Sequence, residues 1–340
     1  MKVYGSGVFA LLALIACVAL FSTRSGRAEN QRASEYRVSG PYNHENLSIF
    51  LIHGANRASS KLLTLEEAVA QHKVVVYETR NVNELTIENV SSEDVFIESG
   101  DIVKGGAQDR TLKDDFILPT KSGKVNINAF CVEHGRWTQR GGEPVGTFDS
   151  ATESVASKDL KMAVRVKSDQ RSVWDSVAAV QAGIASALRS EVRAAPSPTS
   201  LPMTMQTPIV QKSIDGYLRD LKSVIDGQPD VIGYAFAING EVNSADVYGS
   251  HELFAKLWPK LLRASSVEAV SKYDAGKKFT PPATGAVMAV LHDAESGKDS
   301  TRQVTERVSL VTKETPKNVL FETRDHAQSG AWIHRNYLSK

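Results

Sequence analysis

Residues 95–112, V-F-I-E-S-G-D-I-V-K-G-G-A-Q-D-R-T-L, and residues 125–140, V-N-I-N-A-F-C-V-E-H-G-R-W-T-Q-R, decide how the chain is read. In the second, Val125, Ile127, Ala129 and Cys131 share one parity, while Asn126 and Asn128 share the other. That period of two predicts a half-buried strand over 125–133. The first holds a short apolar strand, the turn Ser99-Gly100-Asp101 and a glycine loop over 102–112. Each stretch leads into a glycine pair beside arginines, Gly105-Gly106 and Gly141-Gly142.

Working outward, short strands are predicted at 47–53, 74–78, 85–89, 95–98 and 116–118. Turn clusters separate them, among them Asn81-Val82-Asn83 and Ser91 to Asp94. The close spacing of 74–78, 85–89 and 95–98 favours antiparallel pairing over crossover units. Thr64-Leu65-Glu66-Glu67 fits a capping box opening a short helix. Val173, Val177, Val180, Ile184, Leu188 and Val192 fall on one helical face after Ser172-x-x-Asp175. Residues 194–207, with three prolines, read as a loop or linker. Thr207-Pro208 then opens a second amphipathic helix through Ile225. Residues 231–238 and 241–247 form a hairpin around Asn239-Gly240. A helix from His251 to Ala264 contains Pro259. Strands are expected at 287–291, 301–312, 319–322 and 332–338. The fold class is α+β, with mostly antiparallel sheet and several packed helices.

Composition narrows the function classes. The 340 residues are 41% hydrophobic and 23% charged, with 40 Lys+Arg against 39 Asp+Glu and a formal charge of +1. These values suit a packed soluble domain. A duplex nucleic-acid partner is not expected, because counterion release needs a basic surplus. The N-terminus reads as a targeting segment: Lys2, an apolar run over 8–21, then the small-x-small site Gly26-Arg27-Ala28. Residues 1–28 are an export signal or an N-terminal membrane anchor, and 29–46 a lead-in. Leu14-Ile15-Ala16-Cys17 leaves lipidation at Cys17 open as an alternative to cleavage. The expected location is periplasmic or secreted, with membrane contact only through a retained or lipidated N-terminus. Cleavage after Ala28 leaves Cys131 alone, so the core must hold without disulfides.

Candidate chemistry gathers in loops 99–112 and 134–148. Paired glycines let backbone N–H groups converge on an anion. Lys104, Arg110, Arg136 and Arg140 supply charge, Gln108 specificity, and Trp137 an aromatic wall. Glu98 belongs to the same binding set. Asp101, Asp109 and Glu133 are the candidates for proton transfer. Beside this stands a plainer reading, in which the glycine pairs are tight turns whose charges pair with one another. Cys131 lies on the apolar parity and reads as a packed thiol. The histidines show no H-x-x-x-H or C-x-x-C spacing, so no metal is assigned. Neither a nucleophile elbow nor a phosphate loop occurs. No cofactor is specified, and the sequence does not fix a reaction.

Residues 98–110 and 130–137, with G-Y-A-F-A-I-N-G-E-V-N-S-A-D-V-Y (233–248) and L-T-L-E-E-A (63–68), resemble the hallmark stretches of one family. It is the ARG and rhodanese-phosphatase-superfamily-associated protein domain, and the likeness spans about residues 45–275. Residues 276–340 lie outside it and read as a β-rich C-terminal extension on the same domain. The resemblance implies a link to NAD or ADP-ribose chemistry without a demonstrated activity. The expectation is therefore an exported domain that binds, or also processes, a small phosphate-bearing or otherwise anionic ligand. The alternative is a non-catalytic envelope domain that serves structure or protein interaction.

Overall fold

The computed structural model describes residues 36–57, 61–143, 146–154 and 157–340. The signal or anchor read at 1–28 lies outside them. In chain order the strands are β1 (Arg37–His44), β2 (Leu47–His53), β3 (Leu63–Thr64), β4 (Val74–Asn81), β5 (Glu84–Asn89) and β6 (Val95–Ile97). Next come β7 (Asp101–Gly105), β8 (Arg110–Leu112), β9 (Phe116–Leu118), β10 (Gly123–Cys131) and β11 (Thr147–Ser154). The later strands are β12 (Val231–Ile238), β13 (Glu241–Tyr248), β14 (Lys298–Gln303), β15 (Val308–Glu314), β16 (Asn318–Asp325) and β17 (Ala331–Ser339). The α-helices are α1 (Leu65–Ala70), α2 (Lys158–Met162), α3 (Gln170–Leu188), α4 (Leu201–Met205), α5 (Pro208–Leu221), α6 (His251–Ser271) and α7 (Thr284–Glu295). A π-helical turn, Ala163–Lys167, follows α2.

The strands form three assemblies. Strands β10-β5-β4-β11-β7-β8 close into a barrel. An eight-stranded sheet runs β1-β2-β12-β13-β17-β16-β15-β14, and β3-β6-β9 make a small third sheet. Among the pairings, β3 with β6 is parallel, and the barrel and large-sheet registers are antiparallel. The α+β class with mostly antiparallel sheet is therefore what the chain adopts.

Register decides which residues fill the barrel. Val76 pairs with Ile87, Leu112 with Ala129, and Arg110 with both Val103 and Cys131. All seven are buried, and so are Ile102, Thr111 and Phe130 of the alternate parity where β7, β8 and β10 pair. Asn126 and Asn128 of β10, on the opposite parity, are exposed. Cys131 is buried as its alternation requires, and burial raises its thiol to about 11.

Several local expectations meet their geometry. Thr64 accepts from the Glu67 N–H at 3.2 Å, and Glu67 accepts from the Thr64 N–H at 2.9 Å, completing the capping box. Asn239 (φ 56°) and Gly240 (φ 85°) turn the β12–β13 hairpin. Pro259 sits inside α6 without ending it.

Other expectations change. Residues 287–291 are helical, within α7, where Val287, Leu291 and Ala294 bury one stripe. An apolar run of five fits either period, and the spacing of buried partners selected the helix. Strand β1 (Arg37–His44) lies within the 29–46 stretch read as lead-in. The loop at 102–112 contains β7 and β8, so only its tip is irregular. Helix α3 starts at Gln170, capped by Asp169 rather than by Ser172. Helix α4 lies within 194–207. Residues 301–312 break into β14 and β15, and β17 lies inside the sheet, between β13 and β16. No helix among the described residues is long and apolar enough to cross a membrane.

Candidate functional site

The two glycine loops meet. Arg136 reaches from the second to the first, donating from Nη1 to the Gly106 carbonyl at 2.9 Å and from Nη2 to the Gly105 carbonyl at 3.1 Å. The loop N–H groups do converge on anions, but the anions are the protein's own. The Gly105 N–H donates to Asp109 at 2.9 Å, the Ala107 N–H to Glu78 at 2.8 Å, and the Asp109 N–H to Glu133 at 2.9 Å. Gly106 is in the left-handed region at φ 50°, and a Cβ there would run into the Phe148 ring and, at 2.6 Å, Glu78 Oε2.

The charged residues predicted for ligand contact form a buried lattice. Glu133 takes a two-pronged contact from Arg136, at 2.7 and 2.8 Å, and a bond from the Ser197 hydroxyl. Asp109 takes Arg140 at 2.5 and 3.0 Å and the Ser200 hydroxyl at 2.6 Å. Arg140 also donates to Glu143 at 2.8 Å. Ser197 and Ser200 come from the proline-rich segment, which folds over the lattice and begins α4. Burial raises Asp109 against the pull of Arg140. Burial would raise Glu133 too, but the bonds from Arg136 and Ser197 outweigh it and hold it below its ordinary range. Arg110 is 0% exposed; it donates to the Gln108 carbonyl at 2.6 Å and lies 3.8 Å from Glu78. Neither polar atom of the buried Gln108 amide has a hydrogen-bond partner.

Over this lattice lies an open hollow of about 380 Å³, lined by Glu78, Arg80, Gly106, Ala107, Trp137, Gln139 and Gly146. Trp137 is 52% exposed at its wall. Of the predicted residues, Gly105, Gly106, Gln108, Asp109, Arg110, Glu133, Arg136, Trp137 and Arg140 gather in this region. Lys104 leaves it, donating to Gln206 at 2.8 Å.

Glu98 and Asp101 belong elsewhere, in a second buried cluster. Lys260 of α6 donates to Asp101 and lies 3.3 Å from Glu98. Tyr248 donates to Glu98 Oε1 at 2.5 Å. His334 of β17 places Nδ1 2.9 Å from Asp115 and Nε2 3.2 Å from Asp246. The Tyr248 and His334 rings stack at 4.5 Å. Asp115 also accepts from the Ser99 N–H and the Thr323 hydroxyl, both at 2.7 Å, with Arg165 at 3.5 Å. Burial alone would lower His334, but Asp115 and Asp246 outweigh it and raise it to about 9. Burial likewise raises Glu98. Asp246 resists burial through Lys161 and His334 and falls to about 2.

Sequence reasoning did not find Asp115, Asp246, Tyr248, Lys260 or His334 as site residues. Asp115 precedes β9, Asp246 and Tyr248 share β13, Lys260 lies on α6 and His334 on β17, and no local spacing links these four places. The one available signal was polar residues on otherwise apolar strands, as in Asp246 and His334.

The model of the ARG and Rhodanese-Phosphatase-superfamily-associated Protein domain matches residues 35–338. The chain therefore belongs to that family, and the match extends beyond both ends of the 45–275 likeness into the C-terminal strands. No curated protein and no solved structure matches the chain significantly.

Proposed function

We propose that the hollow between the glycine loops binds a small ligand with a flat ring and an anionic group, of the nucleotide or ADP-ribose class. The observation that carries this reading is Trp137, a large aromatic surface left 52% exposed on the wall of a concave site. Stacking on an aromatic face contributes about 1–3 kcal/mol per base. Arg80 stands at the rim as the cation for the anionic group, and Gln139 and the Gly106-Ala107 backbone border the same space. Arg136 and Arg140 then act behind the surface. They are committed to Glu133 and Asp109, and they fix the loops in place before a ligand arrives, which lowers the ordering cost of binding. Asp109 and Glu133 lie in that frame, so the reading is one of binding and leaves any chemistry to groups the ligand brings close. The targeting segment at 1–28 would deliver this hollow outside the cytoplasm.

Titration with ADP-ribose, followed by Trp fluorescence and calorimetry, tests the reading. Binding should fall at least tenfold in Trp137→Ala and in Arg80→Ala, with the melting point of the free protein nearly unchanged. Equal affinity in wild type and both variants would overturn it.

A second reading, a non-catalytic envelope domain, is favoured by the saturation of the buried ion pairs. It expects no small ligand at the hollow. Trp137 would then be a contact for another protein, and Trp137→Ala would weaken that association instead.

A further inference from the structure

A small cavity of about 10 Å³ opens beside the second cluster, lined among others by Glu98, Arg165, Asp246 and His334. That space holds about one water-sized particle, so no organic substrate fits. One ligand atom each from Glu98, Asp246 and His334 lies within 4.8 Å of the others. Glu98 Oε2 and Asp246 Oδ2 are buried without a hydrogen-bond partner, with Lys260 at 3.3 Å from the first and Lys161 at 3.6 Å from the second.

The orientation of His334 is the second observation. Asp115 sits 2.9 Å from Nδ1 and is itself held by the Ser99 N–H and the Thr323 hydroxyl. A carboxylate on Nδ1 fixes the ring tautomer that aims the Nε2 lone pair at a metal. Nε2 lies 3.2 Å from Asp246 Oδ1 and 3.8 Å from Glu98 Oε1. In the metal-free cluster a proton on Nε2 bridges it to Asp246, and a metal ion would take that proton's place between the three ligand atoms. Ligands about 2.0–2.1 Å from a tetrahedral centre are spaced about 3.3 Å apart, close to what is seen. The surrounding charge agrees in sign. Glu98, Asp101, Asp115 and Asp246 face Lys161, Arg165 and Lys260, so with His334 neutral, as a metal ligand must be, four carboxylates stand against three cations, and the metal supplies the charge that the imidazolium proton otherwise gives.

We propose that Glu98, Asp246 and His334 bind one divalent first-row transition-metal ion, with Asp115 as the positioning residue behind His334. One imidazole and two carboxylates suit manganese or zinc better than the all-oxygen sets of calcium and magnesium. The ion would cross-link β13 and β17 to the turn that follows β6. This site is separate from the hollow, and its failure would leave the ligand reading intact.

The test uses the full chain stripped with EDTA and then given Mn²⁺, Zn²⁺ or Co²⁺ alone. One equivalent of metal should survive gel filtration, and the melting point should rise with metal. Co²⁺ should show visible absorption bands of low-symmetry nitrogen and oxygen coordination. Glu98→Gln and Asp246→Asn, both near-isosteric, should each weaken binding at least tenfold. Asp115→Asn should weaken it about 10- to 100-fold. Binding of none of the three ions at millimolar concentration would overturn the proposal, leaving a cluster bridged by a proton or a water. Undiminished binding in both Glu98→Gln and Asp246→Asn would overturn it equally, by placing the metal on the surface. If those variants do not fold, the wild-type Co²⁺ spectrum decides, and a hexaaquo-like spectrum counts against the site.

Discussion

The two buried polar regions solve the same problem in opposite ways. Around Asp109 and Glu133, every carboxylate oxygen meets an arginine, a serine hydroxyl or a backbone N–H. Around Glu98 and Asp246, each carboxylate keeps one oxygen without a hydrogen bond. In the first region the Asp109 and Glu133 carboxylates are complete, while the Gln108 amide and part of the Arg110 guanidinium beside them lack hydrogen bonds, and the region borders an open hollow. The second is incomplete and encloses a space of one particle. Planar guanidinium forks saturate carboxylates in pairs, and the first region has two of them. The second relies on lysine and histidine, which are point-like or one-directional donors, and Arg165 reaches Asp115 and Asn336 and lies over the Phe321 ring. Saturation marks a frame, and a residual deficit marks a place for something else.

The sharpest way to break this contrast is Arg140→Ala. It would leave Asp109 buried without its two-pronged partner and should cost about 3–5 kcal/mol in urea unfolding. A loss below about 1 kcal/mol would mean that the lattice is not a frame. Gly106→Ala comes next, because it pairs a left-handed backbone with contacts to Phe148 and Glu78. The expected loss is about 1–3 kcal/mol, read from the same transition.

A pH series follows. The folded state lowers the pKa of Glu133, so its contribution is present above the ordinary glutamate value of 4.5 and is lost as pH falls through its lower folded value. Stability measured below pH 4.5 should drop more steeply in wild type than in Glu133→Gln; identical slopes would show that Glu133 is not part of the saturated lattice. The smallest effect is for Trp137→Ala, about 0.5 kcal/mol or less, as for an exposed residue. A larger loss would move Trp137 from the hollow into the frame.

Much of the local structure was readable along the chain. Thr64 and Glu67 announced their capping box, Asn239-Gly240 its hairpin, and the alternation from Val125 to Cys131 its half-buried strand. The glycine loops were legible as a place where N–H groups gather around negative charge. Asp109, one of their anions, lay in the first loop itself, but the pairing with Glu78 of β4 and with Glu133, just past β10, was not legible, because these come from elsewhere in the chain. Residues 287–291 show the same limit in secondary structure, since five apolar residues fit a strand or a helix until their neighbours are known.

By itself, then, the sequence determined the caps, turns and face alternation, since these act over a few residues and need no distant partner. Tertiary structure decided what each buried charge touches. Asp115 and His334, 219 residues apart, meet because β17 inserts between β13 and β16. Electrostatic pairing depends on distance in space, and only the assembled sheets fix that distance.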